Sequence, residues 1–248
     1  MSQHSRAYFN HTQNFFGSSI LNPTTLARAA ASPETWAKVL SFHHLLATDE
    51  YVQYLDALYR EAHNRFGAAW WYLDIVNTLF AAAELTQPKR YLEIGVRRGR
   101  SVCTVARACP TVDIYAFDMW QNNYAGMPNP GPDFVFSELR KHGHTGRIEF
   151  VNGDSHRTVP QFLRENPGIK FDLITVDGDH SEAGAYDDLC NVFPALSVGG
   201  VIVFDDISHP THPYLRSVWL RACEQMPELA HYEFGELGYG VAFGIRRS

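Results

Sequence analysis

The stretch Tyr91-Leu92-Glu93-Ile94-Gly95-Val96-Arg97-Arg98-Gly99-Arg100-Ser101 decides the fold class. Its first residues read as a buried strand, because apolar and β-favouring side chains flank a single acid and stop at a glycine. Gly95 and Gly99 let a ligand approach the backbone closely, and the helix expected over Val102 to Cys109 turns its free N–H groups toward that turn. The spacing is E-x-G-x-x-x-G, whereas the dinucleotide fingerprint is G-x-G-x-x-G, so a nicotinamide-dependent oxidoreductase is disfavoured. An acid beside the glycines repels a pyrophosphate and suits a ligand that carries an amino group.

Outward from this unit, short β-rich runs alternate with helical segments. The strands are Tyr91–Gly95, Asp113–Asp118, Arg147–Asn152, Phe171–Asp177, Val201–Asp205, Ala230–Phe234 and Gly240–Ile245. Such alternation predicts a Rossmann-like, doubly wound α/β sheet with helices on both faces. The last two strands are separated only by Gly235–Gly238 and its neighbours, which predicts an antiparallel pair at the end of a seven-stranded sheet. The segment from Gln121 to Pro132 holds three prolines and two glycines, the signature of a long loop over the cofactor end.

The first ninety residues have a different texture. Apolar residues recur at helical spacing, with starts at Ser32-Pro33-Glu34 and Thr48-Asp49-Glu50 and a stop at Gly67, which predicts helices over about 33–46, 49–65 and 68–86. Residues 1–89 are thus read as a helical cap or oligomerisation segment, and residues 90–248 as the cofactor domain. The third helix would carry Trp70, Trp71, Leu73, Ile75, Val76, Leu79 and Phe80, apolar around much of its circumference, so it is expected to pack on the main domain or on a second subunit, and a homo-oligomer is the expected assembly.

With 45% hydrophobic residues over 248 positions, the chain can bury a large core, which excludes a disordered or fibrous protein. Its 27 acidic against 21 basic residues give a formal charge of -6, so nucleic acid is not an expected partner. Arg97, Arg98 and Arg100 form the one dense cationic group, while most of the chain's cations are read as surface ion pairs. The four cysteines lack metal-ligand spacing, no run is long enough to span a membrane, and no signal peptide is visible; a reduced, soluble, cytoplasmic protein is expected.

Acids stand at the ends of successive strands. Asp118 ends the second, where a carboxylate can accept from both hydroxyls of a ribose, and Gly153-Asp154-Ser155 follow the third, where Asp154 or Ser155 can meet an adenine edge. Together with Glu93-Ile94-Gly95 and Gly99-Arg100-Ser101, these residues resemble the class I S-adenosylmethionine-dependent methyltransferases over about Arg90 to Arg246. The resemblance implies that Glu93, Gly95, Gly99 and Ser101 hold the methionine end, Asp118 the ribose, and Asp154 with Ser155 the adenine side.

The fourth strand ends in Val176-Asp177-Gly178-Asp179-His180, and the fifth in Phe204-Asp205-Asp206. In a doubly wound sheet these strands are neighbours, so Asp177, Asp205 and Asp206 converge, and close carboxylates repel unless protonated or neutralised. A hard divalent cation with oxygen ligands, Mg²⁺ foremost, resolves that repulsion. The pattern resembles the metal-dependent O-methyltransferases, of which the catechol enzyme is the best known, and more closely the natural-product branch around macrocin O-methyltransferase. His180 stands where the catechol enzyme has a Lys, and Asp206 where it has an Asn.

Methyl transfer needs a deprotonated oxygen in line with the methyl carbon; metal coordination and a base both serve that end. His180 is the expected base beside Asp177, with His209 and His212 in reserve. Trp120, Tyr124 and Trp70 or Trp71 are candidate pocket walls, with a core role the favoured reading for the Trp70-Trp71 pair, and adjacent oxygens on a sugar, phenol or other natural product would chelate the metal. Two alternatives stay open: a metal-independent methyltransferase using a His base, and a non-catalytic protein that only binds S-adenosylmethionine.

Overall fold

The computed structural model describes residues 20–47, 49–123 and 126–248. Helices α1 (Pro23–Ala30), α2 (Pro33–His43), α3 (Glu50–Phe66) and α4 (Ile75–Thr86) precede strand β1 (Arg90–Ile94). Then follow α5 (Arg100–Ala108), β2 (Asp113–Asp118), α6 (Pro132–Lys141), β3 (Ile148–Asn152), α7 (Ser155–Glu165), β4 (Phe171–Val176), α8 (Glu182–Val192), β5 (Leu196–Asp205), α9 (Leu215–Cys223), β6 (Leu229–Phe234) and β7 (Val241–Arg246). The strands form one seven-stranded sheet in the order β3-β2-β1-β4-β5-β7-β6, in which β7 runs antiparallel to both its neighbours. This is the doubly wound architecture that the strand pattern predicts.

Alternation along each strand sends side chains to two cores. Tyr91, Ile114, Ala116, Leu173, Val201, Val203 and Phe243 face one side with α1–α6, while Leu92, Ile94, Phe117, Ile174, Val176 and Phe204 face the other with α7–α9. The helices before β1 share the first core with the sheet, and α4 lies directly against α5 and β5. Val76, Leu79 and Phe80 of α4 are buried, each contributing roughly 1.5–3 kcal/mol of apolar transfer free energy.

Local chemistry sets the helix starts. Ser32 Oγ accepts the Thr35 N–H at 3.2 Å and Asp49 Oδ1 accepts that of Val52 at 2.9 Å, the two caps expected from the sequence; Thr48 lies outside the described residues. Helix α1, which sequence reading passed over, has an Asn22 cap and Pro23 in its first turn. The helix expected from residue 68 begins instead at Ile75. Residues 67–69 form a single 3₁₀ turn, and beyond it Trp70 stacks on Tyr72 with ring centroids 4.8 Å apart. The Tyr72 carbonyl accepts from Trp36 Nε1 and Asn77 Nδ2, so side chains take the acceptor that a helix would have used. Strand β5 also starts five residues earlier than Val201, at Leu196.

Candidate active site

Open α/β sheets bind ligands where the strand order reverses, which here is the carboxyl edge between β1 and β4. A cleft of about 910 Å³ opens there. Its floor is the turn after β1. Gly95 has φ +90°, and a Cβ on it would overlap the Asp177 carbonyl, so only glycine lets the β1 and β4 ends pack this closely. Gly99, at φ +77°, packs against Val135 and opens α5. Of the non-glycine residues with positive φ, Arg97 and Asp206 line this cleft, a concentration of backbone strain at the site.

Asp118, at the end of β2, lines the cleft with its carboxylate oriented by backbone donors: Arg97 N–H at 2.7 Å and Trp120 N–H at 2.5 Å. Each oxygen keeps acceptor capacity for a ligand hydroxyl. Gly95, Ser101, Asp154, Ser155 and Asp177 line the same cleft. Asp154 also caps α7, accepting from the His156 N–H at 3.0 Å. Glu93 is placed differently from its expected role. It is fully buried behind the cleft surface, where it accepts from the Tyr91 hydroxyl and from Ser101 Oγ at 2.5 Å, so it meets the cleft through Ser101. Burial pushes its carboxyl up to about 8.

At the other end of the cleft, Asp177, His180 and Asp206 each bring one donor atom to a point, with all three atoms within 4.8 Å of one another. His180 Nε2 lies 3.1 Å from Asp206 Oδ2 and 3.6 Å from Asp177 Oδ1. Asp206 reaches this position through its left-handed backbone, φ +62°. Asp205 lines the cleft but contributes no oxygen to the group; the third donor is the His180 imidazole. Sequence reading placed all three strand-end acids together because adjacency along the chain hides where successive side chains point. Burial raises the Asp177 and Asp205 carboxyls, Asp205 far above the usual carboxylate range, and the crowding of Asp206 adds to both.

His209 and His212 both line the cleft beside this group. The His212 ring is 5.4 Å from that of His180, its Nδ1 lies 3.1 Å from the Tyr214 hydroxyl, and Tyr214 in turn donates to the His180 carbonyl at 2.8 Å. Burial lowers His212, helped by the two neighbouring imidazoles.

Other walls escaped the sequence reading. His156 faces the cleft with Asp154 at 3.3 Å on one side and Asp179 and Asp188 at 3.7 Å on the other; its place directly after Asp154-Ser155 was the available signal. Asp49, Tyr51 and Val52 bring the start of α3 into the site. Arg97, Arg98 and Arg100, the one dense cationic group of the sequence, line the cleft as well. The tryptophans do not line it. Trp70 belongs to the aromatic core with Trp36 and Tyr59, Trp71 is 43% exposed, and Trp120 donates to Asn152 at 2.6 Å beside Phe150. Tyr124 lies outside the described residues.

Residues 92–207, the segment that carries every one of these strand ends, match the family model of a methyltransferase domain. The chain carries a methyltransferase domain. Solved structures similar to this methyltransferase include the calicheamicin methyltransferase CalS11, at 21% identity and TM-score 0.55, over 86% of this chain and 91% of that one. The O-methyltransferase TomG from Streptomyces achromogenes, solved with S-adenosylmethionine, gives 22% and 0.54 over 87% and 99%. An O-methyltransferase from Bacillus cereus, in complex with S-adenosylhomocysteine, gives 17% and 0.54 over 86% and 99%. No curated protein sequence matches the chain. Among the described residues of this methyltransferase, no helix is long and apolar enough to cross a membrane.

Proposed function

We propose that this methyltransferase transfers a methyl group from S-adenosylmethionine to a hydroxyl of a small molecule, with a divalent cation held by Asp177, His180 and Asp206. The observation that carries the reading is the convergence of these three donor atoms within 4.8 Å at the wall of the cleft that Asp118 and Ser101 also line. Two carboxylates and an imidazole are a donor set that divalent cations accept, and a positive ion between them offsets the burial and the Asp206 repulsion that raise Asp177. When bound, such an ion lowers the pKa of a coordinated hydroxyl, and adjacent oxygens on a sugar or phenol would chelate it. CalS11 is described as a TDP-rhamnose 3'-O-methyltransferase, and TomG as an O-methyltransferase of tomaymycin synthesis; both support a hydroxyl acceptor.

The residues divide the work by position. Asp118, fixed by two backbone N–H groups, accepts from the ribose hydroxyls; Ser101 meets the methionine end and Asp154 with Ser155 the adenine side. With His180 in the donor set, removal of the hydroxyl proton falls to His212, whose lowered pKa keeps it neutral at pH 7. The 3.1 Å contact between His180 and Asp206 favours one second reading, a metal-independent enzyme in which this pair is itself the base.

Calorimetry with Mg²⁺ separates the two. The wild-type protein is expected to bind the ion, and Asp206→Ala to lose at least about tenfold in affinity. A chelator should then abolish methylation of a catechol probe, and added Mg²⁺ should restore it. Equal Mg²⁺ binding by both proteins, or turnover undiminished by the chelator, would refute the metal site and leave the His180–Asp206 pair as the base.

A further inference from the structure

Arg100 is a cation set into the cleft without a counter-ion. Its two neighbours are accounted for: Arg97 and Arg98 lie 3.7 and 3.4 Å from the shared Asp49 carboxylate, Arg97 also donates to Met127 Sδ, and Arg98 sits over the Phe134 ring. Among the described residues, no carboxylate lies within 4.0 Å of the Arg100 guanidinium, and its Nη1 is buried with no hydrogen-bond partner. Arg100 hydrogen-bonds the Tyr59 side chain, and Asp74 lies within electrostatic range but already accepts from the hydroxyls of Tyr59, at 2.5 Å, and Tyr72. Arg100 lines the same cleft as Tyr51 of the helical wall and Asp177 of the acidic end.

A buried guanidinium nitrogen left without an acceptor costs free energy, so Arg100 Nη1, held this way in a ligand cleft, calls for an acceptor, and an anion serves best. We infer that Arg100 receives the carboxylate of a bound ligand, with the Tyr51 hydroxyl beside it on the same wall. A monoanion fits better than a phosphate, because Asp177, Asp205 and Asp206 lie along the same cleft and penalise a second negative charge. A guanidinium suits the planar, two-oxygen geometry of a carboxylate. Two sources offer that group: the methionine end of the cofactor product, and an acceptor that bears an acid beside its hydroxyls. The inference rests on the proposal that the cleft binds the cofactor.

Calorimetry on the full chain, wild type against Arg100→Met and Arg100→Lys, tests it with two matched pairs of probes. The first pair is S-adenosylhomocysteine and 5′-methylthioadenosine, which lacks the amino-acid end. The second, measured with Mg²⁺ and saturating S-adenosylhomocysteine, is 3,4-dihydroxybenzoate and catechol. Arg100→Met is expected to weaken the carboxylate-bearing member of one pair by about 10- to 100-fold, leave its partner within about twofold, and be partly rescued by Lys. The pair that moves identifies the source, and retained methylthioadenosine binding shows that the variant is folded. Equal effects on both members of a pair, or no loss in either pair, would overturn the inference while the cofactor reading stands. Failure of the wild type to bind either nucleoside would overturn both.

Discussion

At the residue scale, Glu93 shows how a strand-end acid can be moved off the ligand surface and still govern the site. Its carboxyl is buried among the Tyr91 and Ser101 hydroxyls and titrates near 8, well above an unfolded glutamate at about 4.5, with burial as the main cause. A carboxyl raised in this way adds stability that is complete below pH 4.5 and is lost as pH rises toward 8, because the unfolded chain releases the proton first. Relative to Glu93→Gln, the wild type is therefore expected to lose about 1.4 kcal/mol of stability per pH unit between pH 5 and 8 and to change little above that. Urea denaturation of both proteins at pH 5, 6.5, 8 and 9 measures the difference, and a gap independent of pH would mean that Glu93 ionises normally in the fold. Sequence could name Glu93, Asp118 and Asp177 because each stands at or near the carboxyl end of a strand. It could not tell that Glu93 faces inward, or that Asp206 and His180 meet without Asp205, since both depend on side-chain direction across the sheet edge.

At the element scale, the strands and helices of the methyltransferase domain were legible because hydrophobic period and glycine punctuation act locally. The stretch 67–74 was not. Its apolar residues satisfy a helical pattern, yet stacking of Trp36, Trp70 and Tyr72 and capture of the Tyr72 carbonyl hold it extended, a tertiary override of local preference. Asn77 is the pin of this arrangement. Its side chain accepts from the Asp74 N–H at 2.7 Å and donates to the carbonyls of Ala30 and Tyr72 at 2.9 and 3.0 Å, joining α1, the extended stretch and α4 in a fully buried position. Asn77→Ala leaves those groups unpaired and is expected to cost roughly 2–4 kcal/mol. Chemical denaturation measures it, and a loss below about 1 kcal/mol would show that the three bonds are dispensable. Because Asp74 starts α4 and Ile75 lines the cleft, the same variant should also weaken ligand binding.

At the scale of the whole molecule, the helices before β1 cover one face of the sheet and wall the cleft through Asp49, Tyr51, Val52 and Ile75. The match to the methyltransferase family begins only at residue 92, so sequence comparison alone suggests a detachable preface. The shared core argues the opposite: a fragment starting at Lys89 would expose Val201, Val203, Phe243 and the inner side of α5 to water. Such a fragment is expected to be insoluble or to lack a cooperative thermal transition, whereas the full chain should melt in one step followed equally by near- and far-ultraviolet circular dichroism. A soluble fragment with a sharp transition would establish an independent domain.

The position of β7 governs how the molecule is made. This strand lies between β5 and β6, although both precede it in the chain, and Asp205 of β5 pairs in register with Val241 of β7. On the ribosome, β3, β2, β1, β4 and β5 can assemble in turn, but β5 then presents an open edge, and β6 has no place in the sheet until residues 241–246 have been synthesised. A nascent chain therefore passes through a stage in which one edge of β5 is open, the condition that invites chaperone capture or aggregation. The acidic end of the cleft, carried by that same strand, becomes fixed only with the last segment of the sheet.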